Sequence, residues 1–321
     1  MRVLITGITG FVGSHLAQQL VLHPELEVFG LRRWRSNTSR LGAPAESIRF
    51  LEGDLLDPPS LLRVLQACQP GVIFHLAASS SVSSSWQTPT EMLQVNAVGT
   101  LHLLEAVRQL QLDATVVLAC SAESYGIVKP SELPITEEQP FRPVSPYAVS
   151  KATVDLLGFQ YFRAFGVRTV RLRLFNHCGP GQSDQFVIAA FARQLAEIEA
   201  GMQPPRLAVG NLDVSRDFVD VRDAARAYWL AASRGEAGEA YNVASGRSRT
   251  LRSVLEELLA MSPARVEVVV EEARLRPAEI PVLEGAGDKF QGATGWRPEV
   301  PFAATLRDTL AYWREKVRRR S

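Results

Sequence analysis

Residues 2–13 read RVLITGITGFVG, and this stretch decides the fold. Residues 2–6 form a short run of mostly aliphatic side chains, which predicts a buried strand. Three glycines follow at intervals of three, Gly7, Gly10 and Gly13, and the sequence beyond them opens a helix. A glycine turn between a strand and a helix brings backbone N–H groups and a helix N-terminus to a diphosphate. The stretch therefore predicts a dinucleotide site, although its spacing differs from the more familiar G-x-G-x-x-G.

The alternation of strand and helix continues through the first half of the chain. The expected strands are residues 2–6, 26–31, 48–52, 71–75, 114–119 and 168–174. Strands built mostly of Val, Ile, Leu and Phe are typical of a parallel sheet that helices cover on both faces. We therefore expect an α/β protein with a Rossmann-type doubly wound parallel sheet.

Beyond residue 175 the alternation loosens, and Gly- and Pro-rich connections indicate a smaller, discontinuous substrate-binding domain. A helix is expected near residues 184–200, with short strands near 207–209 and 266–270. Residues 218–246 and the last helix are expected to return to the main sheet. The predicted dinucleotide-binding domain is residues 1–175, 218–246 and 301–321, and the predicted nucleotide-sugar domain is 176–217 and 247–300.

The composition limits the partners and the compartment. The 321 residues are 46% hydrophobic and carry a formal charge of +1, which predicts a folded protein without an overall field for nucleic acid or an anionic membrane. The chain has no apolar run of the ~20 residues that span a bilayer, and no signal peptide is expected at its N-terminus. Three cysteines without close spacing predict neither a disulfide framework nor a metal site, so we expect a cytoplasmic protein.

The end of the second expected strand bears on the choice of dinucleotide. NAD-binding domains place an acidic residue there for the ribose 2′-hydroxyl, whereas NADP-binding domains have an arginine nearby. Residues 32–35 read RRWR and include no acidic side chain. The loop therefore favours NADP(H) through Arg32, and an ordinary solvated basic loop is the alternative.

A candidate proton-transfer pair lies in residues 145–151, which read SPYAVSK. Ser145 can cap a helix, and the proline after it suits the first helical position. Tyr147 and Lys151 then lie one turn apart on the same face. Because an adjacent ammonium and the positive end of a helix both favour phenolate, we expect the pair to move a proton near neutral pH. An ordinary amphipathic helix is the alternative.

Two polar residues follow the fifth expected strand. Ser121 and Glu123 stand at its carboxyl end, where doubly wound sheets bind their ligands. The serine hydroxyl can hydrogen-bond a substrate oxygen, and the glutamate can carry a second proton. A hydrogen-bonded or exposed loop acid is the alternative for Glu123.

Several motifs, in order along the chain, resemble those of the extended short-chain dehydrogenase/reductase family. They are TGITGFVG at 6–13, GDL at 53–55, HLAA at 75–78, NAVGT at 96–100, YAVSK at 147–151 and RDFVDV at 216–221. The resemblance implies a cofactor site lined by Gly7, Thr9, Gly10, Phe11, Val12, Arg32, Asp54, Leu55, Leu76, Ala77, Ala78 and His177. It also implies that Tyr147 and Lys151 contact the cofactor ribose.

Within that family, FNH at 175–177, GNLD at 210–213 and LRPAE at 275–279 resemble the branch that acts on GDP-mannose derivatives. This resemblance implies a GDP-linked hexose, whose GDP part is held by Asn176, Arg216, Arg276 and Glu279. Arginines fork onto diphosphate oxygens and a glutamate accepts from ribose hydroxyls, which suits these roles. Surface ion pairs are the alternative for the two arginines.

The sequence leaves two activities of this branch open. Residues 85–86 and 179–183 resemble enzymes that reduce the 4-keto group of GDP-4-keto-6-deoxy-D-mannose, whereas 32–40 resembles enzymes that dehydrate GDP-mannose. Reduction is favoured; dehydration, or another nucleotide-sugar dehydratase or epimerase activity, is the alternative. A noncatalytic NADP(H)-binding scaffold is a more remote one. We expect a homodimer or a tetramer. Two long apolar helices, near 87–110 and 146–165, could form the contact, and the family resemblance implies the same assembly.

Overall fold

The structure is a computed structural model that describes residues 1–275 and 278–319. Its strands are β1 (Arg2–Thr6), β2 (Glu27–Arg32), β3 (Arg49–Glu52), β4 (Val72–His75), β5 (Thr115–Ser121), β6 (Thr169–Leu174), β7 (Asn176–Cys178), β8 (Arg206–Val209), β9 (Ser215–Asp220), β10 (Ala240–Val243), β11 (Ser248–Thr250), β12 (Glu267–Val270) and β13 (Val282–Leu283). Its helices are α1 (Phe11–Leu20), α2 (Pro58–Cys68), α3 (Val82–Ser85), α4 (Pro89–Leu93), α5 (Gly99–Gln109), α6 (Pro146–Phe165), α7 (Val187–Glu199), α8 (Val221–Arg234), α9 (Leu251–Ala260), α10 (Asp288–Thr294) and α11 (Phe302–Arg318). A π-helical turn, Gln94–Val98, joins α4 to α5 without a break.

The largest sheet has seven parallel strands in the order β10-β6-β5-β4-β1-β2-β3. Val3 pairs with Val28 on one side and with Val72 on the other, which places β1 inside the sheet. The strand order reverses between β1 and β4, the switch point at which doubly wound sheets bind ligands. The predicted Rossmann-type fold is confirmed, and the bounds of the six strands expected in the first half are correct to within two residues.

Helices cover both faces of this sheet. One face packs on α1, α8 and α10, which contribute Leu16, Tyr228 and Phe290 to a shared hydrophobic cluster. The other face packs on α2, α5 and α6 through side chains such as Leu65 and Leu104. Because both faces are buried, most of these strands lack the polar alternation of a half-exposed sheet.

The second lobe has a hydrophobic core of its own. Strand β9 pairs with β7, β11 and β13, and β8 pairs with β12. Helices α7, α9 and α11 close around these strands through Phe191, Leu258 and Trp313. The helix expected near 184–200 is confirmed as α7, and the two short strands expected in this part of the chain are β8 and β12.

The C-terminal helix corrects the predicted domain division. The sequence analysis assigns residues 301–321 to the main sheet, but α11 packs on α7 and α9 in the second lobe. Its apolar side chains, Leu306, Leu310 and Trp313, are buried there. Amphipathic periodicity reveals that a helix has an apolar face but not which surface covers it, which is why the sequence misplaced this helix.

Two shorter segments also lie in a different lobe from the one predicted. Phe290 and Trp296 pack in the cluster beside the main sheet, although the sequence analysis assigns 247–300 to the nucleotide-sugar domain. Residues 215–220 form β9 of the second lobe, whereas 240–243 join the main sheet as expected. The chain therefore crosses between the lobes more often than its composition indicates.

None of the helices within residues 1–275 and 278–319 is both long and apolar enough to cross a bilayer. In the same part of the chain, no group of three His, Cys, Asp or Glu side chains is arranged to hold a metal ion. All three cysteines are buried and free.

Candidate active site

The glycine turn between β1 and α1 leaves no room for side chains. Gly7 has a positive φ of 70°, and a Cβ there would lie 2.6 Å from the backbone nitrogen of Ala77. A Cβ on Gly13 would lie 2.2 Å from the carbonyl oxygen of Gly7. Gly10 is the N-cap of α1, and no side chain caps this helix. The bare backbone and the uncapped N–H groups of the first turn fit the diphosphate of a dinucleotide.

A buried polar chain holds this turn against β4. Thr100 Oγ1 donates to the carbonyl of Asn96, so it accepts from Nε2 of His75. The Nδ1 atom of His75 then accepts from Thr6 Oγ1, which itself accepts from the N–H of Ala77. Burial lowers the pKa of His75 to about 3, so the ring is neutral. The chain of hydrogen bonds fixes the backbone that follows β4.

Asn96 is a positioning residue to which the sequence motifs gave no role. Its Oδ1 accepts from the N–H of Ser79, and its Nδ2 donates to the carbonyl of the same residue. The Nδ2 atom also donates to Oγ of Ser150, whose hydroxyl donates to the carbonyl of Tyr147. Asn96 thus joins the loop after β4 to the first turn of α6. It lies in the π-helical turn, which the sequence does not distinguish from α-helix.

Helix α6 begins as the sequence predicts. Ser145 Oγ accepts from the N–H of Ala148, and Pro146 takes the first helical position. Tyr147 and Lys151 consequently line one cavity, a single helical turn apart. The sequence pattern placed this pair correctly because it depends only on local helix geometry.

Burial controls the ionisation of this pair. It raises the pKa of Tyr147 to about 12, although a hydrogen bond with Ser121 acts in the opposite direction. It also lowers the pKa of Lys151 to about 8. The ammonium donates to the carbonyl of Ala119 at 2.7 Å, and the loss of hydration is the largest influence on the pKa of Tyr147. Burial therefore opposes the phenolate form, an effect that helix spacing does not reveal, and proton transfer by this pair stays a prediction.

Ser121 and Glu123 lie together where β5 ends. The Ser121 hydroxyl oxygen accepts from the N–H of Glu123 at 3.2 Å and so caps the short 3₁₀ turn that follows. Both side chains line the cavity that contains Tyr147. The negative charge of Glu123 contributes to the raised pKa of Tyr147. This end of β5 thus carries a hydroxyl and a carboxylate beside the phenol.

A cavity of about 250 Å³ brings most of the predicted site residues together. Those on its wall are Ser121, Glu123, Tyr147, Lys151, Gly7, Gly10, Phe11, Val12, Leu76, Ala78, Asn176 and His177. The predicted cofactor residues that do not line it are Thr9, Arg32, Asp54, Leu55 and Ala77. The cavity lies at the carboxyl ends of β1, β4, β5 and β6, which agrees with the switch point of the sheet.

Arg32 lies at the end of β2, outside the cavity wall. Its guanidinium is 4.9 Å from the ring centroid of Phe50 and 3.4 Å from the carboxylate of Glu52. The Glu52 side chain is 49% exposed, so this ion pair is weak and can exchange partners. The acidic neighbour comes from β3, so the residues at the end of β2 do not reveal it.

Asp54 and Leu55 shape the loop after β3. Asp54 Oδ1 accepts from the N–H of Leu56, which closes a tight turn. Leu55 is buried, and its side chain would contact a Cβ placed on Gly99 at 2.9 Å. This close approach explains a glycine at the start of α5.

Strand β7 carries Asn176 and His177 into the cavity wall. The His177 ring stacks on Phe11, with 6.0 Å between ring centroids and 11° between planes. In the loop after β7, the carbonyl of Pro180 lies 2.9 Å from Nε2 of His15 on α1. The second lobe therefore rests directly on the helix that opens with the glycine turn.

Arg216 and Glu279, two of the other predicted substrate residues, do not line this wall. Arg216 is 5% exposed, and its guanidinium donates to two backbone carbonyls. Glu279 accepts from Nδ2 of Asn211 at 2.7 Å. Arg276 lies outside the described residues. The structure thus brings Asn176 to the catalytic pair, but not Arg216 or Glu279.

Two loops complete the wall with residues that the sequence analysis did not assign. They are Ser80, Ser81, Val82 and Ser83 after β4, and Gln182, Gln185, Phe186 and Val187 before and at the start of α7. Neither loop has a periodic pattern, and their proximity depends on the packing of one lobe on the other. A serine-rich composition at 79–85 was the visible signal, but it carried no chemistry by itself.

Comparison with known proteins identifies the family. The model of the GDP-mannose 4,6 dehydratase family matches residues 4–309. The chain belongs to the GDP-mannose 4,6-dehydratase family. The GDP-6-deoxy-D-mannose reductase of Pseudomonas aeruginosa is 38% identical over 99% of this chain and 98% of its own length.

Both kinds of enzyme in this family are similar to the chain over nearly its full length. The GDP-mannose 4,6-dehydratase of Sinorhizobium fredii is 32% identical and covers 97% of each chain. The solved structure of RMD from Pseudomonas aeruginosa, complexed with NADPH, has a TM-score of 0.84 and 37% identity over 98% of this chain and 99% of its own. The resemblance to GDP-mannose enzymes is confirmed, and the choice between activities depends on the site.

Proposed function

We propose that this member of the GDP-mannose 4,6-dehydratase family reduces the 4-keto group of GDP-4-keto-6-deoxy-D-mannose with NADPH, giving a GDP-6-deoxyhexose. The observation that carries the proposal is the placement of the Tyr147 phenol, a hydrogen-bond partner of Ser121, in the same cavity as Ser121 and Lys151. A proton donor is what a ketone reduction requires. The 38% identity with a GDP-6-deoxy-D-mannose reductase supports the same activity.

The residues of the chain supply the proton and stabilise the charge that develops. NADPH, when bound, supplies the hydride that reaches C4. Tyr147 donates its phenolic proton to the carbonyl oxygen, and Ser121 hydrogen-bonds the same oxygen. The ammonium of Lys151 stabilises the phenolate that remains. One C–H and one O–H bond form as the C4–O double bond becomes single, so the reaction consumes one hydride and one proton.

The proposed NADPH site begins at the glycine turn. Gly7 and Gly10 allow the diphosphate to approach the uncapped N–H groups of α1. Arg32 binds the 2′-phosphate, since its pairing with an exposed carboxylate is readily exchanged. The other proposed contacts are Thr9, Phe11, Val12, Asp54, Leu55, Leu76, Ala77, Ala78, Tyr147, Lys151 and His177.

The second lobe is proposed to hold the GDP-linked hexose. Asn176 lines the cavity from β7, and β7 pairs with the strand that carries Arg216. Arg216, Arg276 and Glu279 are proposed to bind the GDP part. In this division the first lobe binds NADPH, and the second lobe, with α11 included, binds the nucleotide sugar.

We also propose a homodimer that assembles through α5 and α6. Leu156 and Phe159 on α6 are 59% and 47% exposed, which is unusual for large apolar side chains on one helix. A contact of this kind, and a tetramer built from two such dimers, agree with the family. A cytoplasmic location is proposed as well, because all three cysteines are free.

A second candidate function is the dehydration of GDP-mannose. Elimination of water requires an acid-base group in addition to the tyrosine, and Glu123 lines the cavity beside Ser121. The 32% identity with a GDP-mannose 4,6-dehydratase is consistent with this alternative. Other nucleotide-sugar dehydratases or epimerases would use the same groups.

The purified protein should oxidise NADPH when GDP-4-keto-6-deoxy-D-mannose is added, measured by the loss of absorbance of the reduced nicotinamide. GDP-mannose alone should not be consumed. Conversion of GDP-mannose to a keto sugar without net use of NADPH would replace the proposal by the dehydratase. Binding of NADPH without turnover of any sugar would support the alternative of a noncatalytic NADP(H)-binding scaffold.

A further inference from the structure

Gln182 is a buried residue of the cavity wall with incomplete hydrogen bonding. It is 4% exposed, and its Nε2 donates to the carbonyl of His177 at 2.9 Å. Its Oε1 is buried and has no hydrogen-bond partner in the described part of the chain. The donation to a carbonyl fixes the orientation of the amide, because a carbonyl cannot donate to Oε1. The free acceptor is therefore a property of the site rather than of an arbitrary amide assignment.

A second buried glutamine shows what a structural role looks like. Gln194 is also 4% exposed, but its Oε1 accepts from the N–H of Ala208 and its Nε2 donates to the carbonyl of the same residue. Both ends of that amide are paired within the protein, as is normal for buried polar groups. Gln182 has only one end paired, and it lines the active-site cavity, whereas Gln194 does not.

Asn176 provides a second acceptor of the same kind. Within residues 1–275 and 278–319 its Oδ1 is also buried without a hydrogen-bond partner, and Asn176 lines the same cavity as Gln182. A hexose presents several hydroxyl donors to its binding site, and each that becomes buried needs an acceptor. Two unpaired amide oxygens in one wall can accept from two hydroxyl groups. They therefore fit a hexose better than a ligand with a single hydrogen-bond donor.

We propose that Oε1 of Gln182 accepts a hydrogen bond from a hydroxyl of the hexose, which makes Gln182 a substrate-binding residue. The inference rests on the proposed function only in taking a GDP-linked hexose as the ligand. The donation of Nε2 to His177 holds the amide in place before the sugar arrives. A neutral donor of the cofactor, such as the carboxamide of the nicotinamide, is an outcome of the test.

The test compares GDP-mannose with GDP, so that the affinity ratio reports the hexose alone. Isothermal titration calorimetry gives this ratio for the wild type and for Gln182→Met and Gln182→Glu. Both variants lose the donation to His177, but only Gln182→Glu keeps an oxygen acceptor. The preference for GDP-mannose over GDP should fall about tenfold in Gln182→Met and be largely retained in Gln182→Glu.

The proposal is overturned if the ratio is unchanged in Gln182→Met, or if both variants lose it equally. It is also overturned if Gln182→Met weakens NADPH binding about tenfold while the GDP-mannose preference stays constant, because the acceptor then binds the carboxamide. Calorimetry requires no turnover. A protein that fails to reduce the keto sugar but shows the expected ratios would contradict the proposed reaction and leave this inference standing.

Discussion

The two walls of the cavity are built on different principles. The wall at the glycine turn comes from one contiguous stretch, in which the backbone at Gly7 and Gly13 lies too close to its neighbours for any side chain. The wall from the second lobe is made of side chains such as Asn176 and Gln182, which reach the site only because β7 and the following loop pack on α1. The first wall suits a constant cofactor, and the second can change to fit different sugars without changing the fold.

The largest effect is expected where both walls meet, at the phenol. Tyr147→Phe should lower kcat for the keto sugar about 1000-fold, because the proton donor is removed. The dissociation constant of NADPH should stay within about twofold, since the proposed contact of Tyr147 with the ribose is one of many contacts that hold the dinucleotide. Stopped-flow rates and fluorescence titration measure the two quantities. Tyr312→Phe, on α11 of the second lobe, is the matched control and should change neither.

Equal losses of turnover and of NADPH affinity in Tyr147→Phe would contradict the catalytic assignment. The hydroxyl would then be a part of the cofactor-binding wall.

The backbone wall should be intolerant of a single methyl group. Gly13→Ala would place a Cβ 2.2 Å from the carbonyl of Gly7, so the turn must move. NADPH affinity should fall about 100-fold, measured by fluorescence titration, because a displaced turn misplaces the diphosphate. Gly292→Ala is the control, since a Cβ there meets nothing within 4 Å. Gly10→Ala, with its nearest contact at 3.0 Å, should fall between them and keeps the test valid if Gly13→Ala does not fold.

Wild-type affinity for NADPH in Gly13→Ala would show that the close contact is not what shapes the cofactor site.

The difference between the walls also explains what the sequence could predict. Gly7 to Gly13 and the pair Tyr147 and Lys151 are encoded within a few residues, so spacing alone located them. Asn96 and Gln182 lie in stretches that resemble the family, 96–100 and 179–183. Their hydrogen bonds depend on a π-helical turn and on a contact between lobes, which the motifs do not reveal. The ionisation of Tyr147 was also out of reach, because it depends on burial rather than on spacing.

The fold shows the same limit. The parallel sheet followed from runs of apolar residues, and six of its seven strands were located to within two residues. The position of α11 depends on a surface formed by α7 and α9, which are more than 40 residues earlier in the chain. Long-range packing therefore decided what local periodicity could not.

The dependence of rate on pH separates the two members of the catalytic pair. The pKa of Lys151 is lowered by burial to about 8, so the cation is present below that pH and is lost as the pH rises through it. Tyr147, with a pKa raised to about 12, stays protonated over the same range. The kcat/KM for the keto sugar should therefore fall by up to about tenfold per pH unit above pH ~8.

Rates measured between about pH 6.5 and 9.5 in buffers of constant ionic strength check this expectation. A profile that rises with pH would instead require the phenolate form of Tyr147 as a base, as the first step of dehydration does.

The smallest effect on cofactor affinity is expected for Arg32, a side chain outside the cavity wall that is proposed to bind the 2′-phosphate. Arg32→Ala should raise the dissociation constant of NADPH about tenfold and leave that of NADH unchanged, because only NADPH carries the 2′-phosphate. Arg49→Ala removes an exposed arginine that pairs with Glu27, and it is the matched control for charge. Equal losses for NADPH and NADH in Arg32→Ala would assign the arginine a structural role instead.

The fate of the hydride tests the central claim most directly. NADPH that carries deuterium on the transferred position of the nicotinamide should be incubated with GDP-4-keto-6-deoxy-D-mannose, and the sugar product analysed by NMR and mass spectrometry. The proposed reduction predicts one deuterium per product, located at C4. Keto sugar that remains unreduced, or a product without deuterium at C4, would contradict it, because the hydride of the proposed reaction comes from NADPH.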